Sequence, residues 1–167
     1  MGDKKKLGKK ARQIRMVLLD VDGVMTDGGI YYSGDGVEMK RFHAHDGYGV
    51  VLARESGLKV GIISGRTTPA VEARMKDLQV DEIIQGSSDK VAALGEIKER
   101  HRLSDEEIAF MGDDLFDLPL LNIVGLSAAP RNARPEVREA VDVVTRATGG
   151  GGAVREFIEL ILKYQPA

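Results

Sequence analysis

The chain has 167 residues, enough for one domain with a sizeable core, and its 43% hydrophobic and 30% charged residues are those of a globular protein. A formal net charge of −2 argues against a surface built for nucleic acid over its whole extent, and the lack of cysteine excludes disulfides, thiolate chemistry and Cys-ligated zinc. No apolar run approaches the roughly 18 residues of a membrane-spanning helix, and no signal-like apolar core follows the basic start, so a cytoplasmic protein with no membrane or nucleic-acid partner is expected.

The first eleven residues, within "MGDKKKLGKKARQIR", read as a solvated, flexible basic start. A buried strand is expected over 15–20, then a β-hairpin over 29–42 around a Gly-Asp-Gly turn. A helix over 46–57 ends at Gly57 as a C-cap, and the strand 59–64 follows. The next helix carries Pro69 in its first turn and spaces Val71, Met75 and Leu78 on one face. Further along come a strand over 81–86 and a helix over 88–101 with Ser88 as N-cap. A second strand ending in acids spans 107–114; a short helix (115–124), a short strand (125–129), a helical turn (134–140) and a last strand (141–145) complete the series. The tail 151–164 is an amphipathic helix with Val154, Phe157, Ile158 and Ile161 on one face. Before it, the glycines at 149–152 read either as a flexible linker or as a segment that closes over a substrate, with Arg155 as an anion ligand. Strands alternating with helices give an α/β class: a Rossmann-like parallel sheet flanked by helices, with a β-hairpin after the first strand, in one domain spanning 1–167.

Ligands in such folds bind beyond the carboxyl ends of the strands. Those ends carry Asp20 and Asp22, then Ser64, then Asp113 and Asp114. Carboxylates from two strand ends repel one another unless a cation or a proton lies between them, and an all-oxygen set suits Mg²⁺. Ser64 offers a hydroxyl and a backbone N–H to phosphate oxygens, Arg66 a bidentate clamp, and Lys90 a further positive charge. In a phosphoryl transfer one acid of the "DVDG" pair would be the nucleophile, Asp20. Asp22 would carry the proton, retained through anionic neighbours and the substrate phosphate. Alone, each of these short motifs is commoner as turn chemistry; their joint order along the strands is what points to a site.

With "DVDGV", "ISGR", Lys90 and "GDDLFD" in this order, the sequence resembles the haloacid dehalogenase superfamily of phosphotransferases. The likeness runs from about residue 12 to 163. It extends, through "DVDGVMTDGGIYY", "DGYGV", "QGSSDK" and "GGGGAVRE", to the capless subclass that hydrolyses 3-deoxy-D-manno-octulosonate 8-phosphate in lipopolysaccharide biosynthesis. The resemblance implies a homotetramer with no cap domain, its hairpins associated at the centre. It also implies Mg²⁺ as cofactor, held by Asp20, Asp113 and the backbone carbonyl of Asp22, and an aspartyl-phosphate intermediate on Asp20. Asp22 is then the acid/base, Ser64 and Lys90 hold the phosphoryl group, and Asp114 and Asp117 orient the site. His43, Ala44, His45, Asp46, Gly47, Arg66 and Arg74 fall where the family binds its sugar acid. His45 and Val51 stand where family members often carry Arg, which leaves open a nine-carbon keto-sugar-acid 9-phosphate as the substrate. His43 and His45 would share one face of a strand, where they could hold a transition metal or face the substrate. His101 reads as a surface residue, and Tyr31 or Tyr32 as a contact with a partner subunit. A signalling receiver domain also clusters Asp, Ser, Lys and Mg²⁺, but it pairs adjacent acids after its first strand; here the adjacent pair comes late.

Overall fold

A computed structural model of the chain describes residues 2–166; Met1 and Ala167, the ends of the expected domain span, lie outside the described residues. Six parallel strands form one sheet: β1 (Met16–Leu19), β4 (Lys59–Ile63), β5 (Glu82–Ile84), β6 (Ile108–Met111), β7 (Leu126–Ala129) and β8 (Val143–Val144). Their order is β5-β4-β1-β6-β7-β8, so the chain moves outward from β1 first to one side and then to the other. The crevice at that reversal lies at the carboxyl end of β1, between β4 and β6. A parallel sheet is covered on both faces, and β1, β6 and β7 are accordingly buried along their whole length.

Alternate residues of each strand feed two cores. Val17 and Leu19 of β1 pack with Val50 and Ala53 of α2 (Ala44–Glu55), Val71 and Met75 of α3 (Pro69–Asp77) and Phe157, Ile158 and Ile161 of α7 (Ala153–Leu162). Met16 and Leu18 pack with Leu94 and Ile97 of α4 (Lys90–His101), Leu120 and Leu121 of α5 (Leu118–Leu121) and Val137 of α6 (Pro135–Ala140). The period of two along the strands produces this three-layer arrangement.

Between β1 and α2 lies only a short antiparallel hairpin, β2 (Tyr31–Tyr32) and β3 (Glu38–Met39), with Tyr31 opposite Met39. It stands off the sheet, and Ile30, Tyr31, Tyr32, Val37 and Met39 are all exposed.

Several local expectations are corrected. The basic start is not frayed: α1 (Gly2–Gln13) packs on α7, with Leu7 half-buried against the core and Ala11 buried in it. Its lysines mask a short apolar stripe that the composition alone does not show. Helix α2 begins at Ala44 and not at 46, because His43 is its N-cap and accepts the backbone N–H of His45. His43 and His45 therefore sit on a helix N-terminus, not on a strand. Helix α4 is capped by Asp89 in place of Ser88: its carboxylate accepts the N–H groups of Val91 and Ala92 at 2.9 and 3.0 Å. His101 is half-buried, with Nε2 2.7 Å from Glu82. The glycine run is a packed turn and not a flexible linker. Gly149 N–H donates to Asn132, Gly150 N–H to the Val24 carbonyl and Gly152 N–H to Asp46. A Cβ on Gly149 would lie 1.7 Å from the Gly23 carbonyl, so this turn is wedged directly behind the loop that follows β1. No helix among the described residues is long and apolar enough to cross a membrane.

Candidate active site

The carboxyl ends of β1, β4 and β6 converge on an open cleft of about 280 Å³, lined by Asp20, Asp22, Ser64, Arg66, Lys90, Asp113, Asp114, Phe116 and Asp117, with Gly65. Ladder bonds fix where each strand delivers its polar group: Asp20 N–H donates to Met111, and Ser64 N–H donates to Ile84, both at 2.9 Å. Ser64 is buried, and its hydroxyl accepts the N–H of Arg66 at 3.3 Å.

At the floor of the cleft Lys90, from the first turn of α4, reaches Asp20 at 2.9 Å and Asp117 at 2.6 Å. Burial works against its charge, but Asp20 and Asp117 outweigh burial and raise its pKa above the ordinary lysine value. Asp117 uses its other oxygen to accept the N–H groups of Asp113 and Asp114 at 2.9 and 3.2 Å. Both of its oxygens are thus committed, and it ties together the start of the "GDDLFD" loop. Asp113 faces Gly23, where a Cβ would come within 2.0 Å of its carboxylate and φ is +85°. Only glycine lets the two loops meet there.

Asp20, Asp113 and Asp117 each place a carboxylate oxygen within 4.8 Å of the others, the one such acidic or His cluster among the described residues. Burial lifts the Asp20 carboxyl to about 6; Lys90 opposes the rise and Asp117 adds to it. Burial, followed by the charges of Asp20, Asp117 and Asp114, pushes Asp113 up to about 8. One ammonium does not balance these acids, and the donors are all hard oxygens, so the cluster fits a divalent cation such as Mg²⁺. The geometry sets Asp117 beside Asp20 and Asp113, whereas the Asp22 carboxylate lies outside the cluster.

Asp22 does not have the anionic neighbours expected of it. Lys40, from the hairpin, donates to its Oδ1, and Arg66 Nε lies 3.7 Å from its Oδ2. Arg66, at the mouth, also binds Glu38 at 2.8 Å. Sequence reasoning missed Lys40, Glu38 and Phe116. Alternation held a signal for the first two: Glu38 and Lys40 flank exposed Met39, which places them together on the opposite face of the hairpin.

The segment 43–47 and Arg74 do not line the cleft. Asp46 is buried and caps α7, accepting Gly152 N–H at 3.1 Å and Arg155 N–H at 3.0 Å. Burial raises its pKa, against the pull of those two N–H groups. Gly49 admits the α7 backbone, since a Cβ there would lie 3.0 Å from Arg155 Cα, and the Arg155 guanidinium stacks on Tyr48. Arg74 packs against Gly47 and pairs with Asp77 at 2.6 Å. "DGYG" is thus the seat of the last helix. His43 and His45 meet edge to face at 4.9 Å, and among the described residues no third metal-ligating group joins them in a cluster. His45 is exposed and Val51 half-buried, and neither reaches the cleft.

Residues 79–158 match the family of haloacid dehalogenase-like hydrolases. The chain is 44% identical over 156 residues to 3-deoxy-D-manno-octulosonate 8-phosphate phosphatase KdsC of Escherichia coli K12, covering 93% of this chain and 83% of that protein. Among solved structures, the 3-deoxy-D-manno-octulosonate 8-phosphate phosphatase of Moraxella catarrhalis, in complex with magnesium, phosphate and KDO, superposes with a TM-score of 0.94. It is 38% identical and covers 96% of this chain and 92% of its own. The cobalt-bound enzyme of Haemophilus influenzae superposes at 0.89 with 35% identity, over 93% and 91% of the two chains. The chain therefore belongs to the haloacid dehalogenase-like hydrolases, in the branch of the 3-deoxy-D-manno-octulosonate 8-phosphate phosphatases.

The crowded acids make a prediction about stability. Asp20 and Asp113 keep their protons to about 6 and about 8 in the folded chain, but release them near 3.8 when unfolded. Between those limits the folded chain binds more protons, so stability falls as pH rises. The lowered acids, such as Glu82, Asp142 and Glu156, act only in the ordinary carboxylate range and below. In a chelator, Tm should fall between pH 5 and pH 8, and added Mg²⁺ should raise it more at pH 8 than at pH 5. A Tm that stays level or climbs over that interval would contradict this electrostatic account.

Proposed function

We propose that this protein hydrolyses 3-deoxy-D-manno-octulosonate 8-phosphate to the free sugar acid and inorganic phosphate, a step of lipopolysaccharide biosynthesis. The observation that carries the reading is the convergence of Asp20, Ser64, Lys90 and Asp113 in one cleft, on a chain closely similar to phosphatases named for that substrate. An Asp20 oxygen attacks phosphorus, the bond from phosphorus to the sugar oxygen breaks, and Asp22 gives that oxygen a proton. Asp22 then takes a proton from the water that attacks the aspartyl phosphate, which releases phosphate and restores Asp20. Lys90 and the Ser64 hydroxyl hold the phosphoryl oxygens through the transfer.

Asp20, Asp113 and the Asp22 carbonyl would hold Mg²⁺, which supplies positive charge to the phosphoryl oxygens. Arg66, half-exposed at the mouth, is placed to meet the substrate carboxylate. The experiment is phosphate release, with Mg²⁺, across a panel of sugar phosphates that includes the octulosonate 8-phosphate and nine-carbon keto-acid 9-phosphates. A preference for the octulosonate is expected. A preference for a nine-carbon ester would keep the mechanism and change the substrate, and no release from any ester would refute the reading.

The same reading makes the enzyme a cytoplasmic homotetramer. What supports assembly is the hairpin, whose Ile30, Tyr31, Tyr32, Val37 and Met39 form an exposed apolar surface of the kind that marks an interface. Light scattering should report about four times the 18.1 kDa chain, and a monomer would exclude the assembly.

A further inference from the structure

The hairpin is exposed on most of its surface, yet the side chain of Lys40 turns inward between two carboxylates. The Lys40 side chain is 1% exposed, while Met39 beside it is 49% exposed. A lysine is buried this deeply only where its charge is paired. Lys40 donates to Asp22 Oδ1 and lies 3.0 Å from Glu38 Oε1. Glu38 in turn holds Arg66 at 2.8 Å, so one hairpin carboxylate ties together the two cations that flank Asp22.

The contacts are divided by oxygen. Lys40 takes Oδ1 of Asp22, whereas Oδ2 has Arg66 Nε at 3.7 Å, beyond hydrogen-bond reach, in a residue that lines the cleft. Asp20 and Asp117 are held by Lys90 from the helix beneath the sheet; Asp22 is held by a different lysine, from a different element.

We propose that Lys40 is a positioning residue for the reaction: it fixes the Asp22 carboxylate so that Oδ2 meets the leaving oxygen of the substrate. This rests on the phosphatase reading and on Asp22 as the acid. An alkoxide leaving group needs the proton that Asp22 gives, whereas p-nitrophenolate, a far weaker base, leaves with little help. Misplacing Asp22 therefore slows the first step, which kcat/KM reports, selectively for alkyl phosphates; hydrolysis of the aspartyl phosphate is common to both esters, and general damage to the fold lowers kcat/KM for both.

The test is steady-state turnover with Mg²⁺ of the wild type, Lys40→Met, Asp22→Asn and the double variant, on the octulosonate 8-phosphate and on p-nitrophenyl phosphate. For Lys40→Met we expect kcat/KM on the sugar ester to drop about 100-fold, with a loss of kcat/KM on p-nitrophenyl phosphate at least about tenfold smaller. In the Asp22→Asn background, Lys40→Met should cost less than about threefold more, because both changes remove one function. Lys40→Gln, a milder change should Lys40→Met not fold, should show the same dependence on the ester. Equal losses on both esters, no loss, or independent losses in the double variant would overturn the proposal. If the octulosonate ester is not a substrate, the substrate assignment fails separately, and the same ratio is read with the alkyl phosphate that the wild type hydrolyses best.

Discussion

One buried ammonium sets the geometry of the cleft. Lys90 opens helix α4, where the helix dipole disfavours a positive charge, so its place there is not explained by helix stability. It is held because Asp20, directly after β1, and Asp117, in the helical turn that follows β6, both approach it. Removing one partner of such a buried pair leaves an uncompensated charge at a cost of about 3–5 kcal/mol. Through Asp117 the same ammonium shapes the loop that carries Asp113, and through Asp20 it aligns the acid at the end of the central strand. The remaining negative charge is what calls for a divalent cation.

The back of the cleft is built by the chain's last turn. The glycines after β8 press against Gly23 and Val24, and Asp46 of α2 ties the start of α7 to that turn. The segment "DGYG" therefore supports the catalytic loop from behind. In front, the hairpin brings Lys40 and Glu38 inward to Asp22 and Arg66 while its apolar residues face outward and are exposed.

The parallel sheet, its strand ends and the residues that meet there were legible in the sequence, because each acid or hydroxyl directly follows an apolar run or begins a turn. Asp20, Asp22, Ser64, Lys90 and Asp113 could be placed that way. Lys40 could not, since its partner lies 18 positions earlier and the two meet only when the hairpin folds back. The resemblance placed Asp46 and Arg74 toward the substrate; in the fold Asp46 caps a helix more than a hundred residues away, a contact no local pattern announces, and Arg74 pairs with Asp77. The basic start hid its packing because one half-buried leucine and one buried alanine give a weak periodic signal among lysines.

The proposed mechanism requires Asp20 to take up the phosphoryl group. Acid quenching of the enzyme during turnover of a radiolabelled phosphate ester, followed by peptide mapping, addresses it directly. An acid-stable, base-labile label is expected on the peptide containing Asp20, absent from Asp20→Asn. Label on another residue, or turnover that persists in Asp20→Asn, would contradict it.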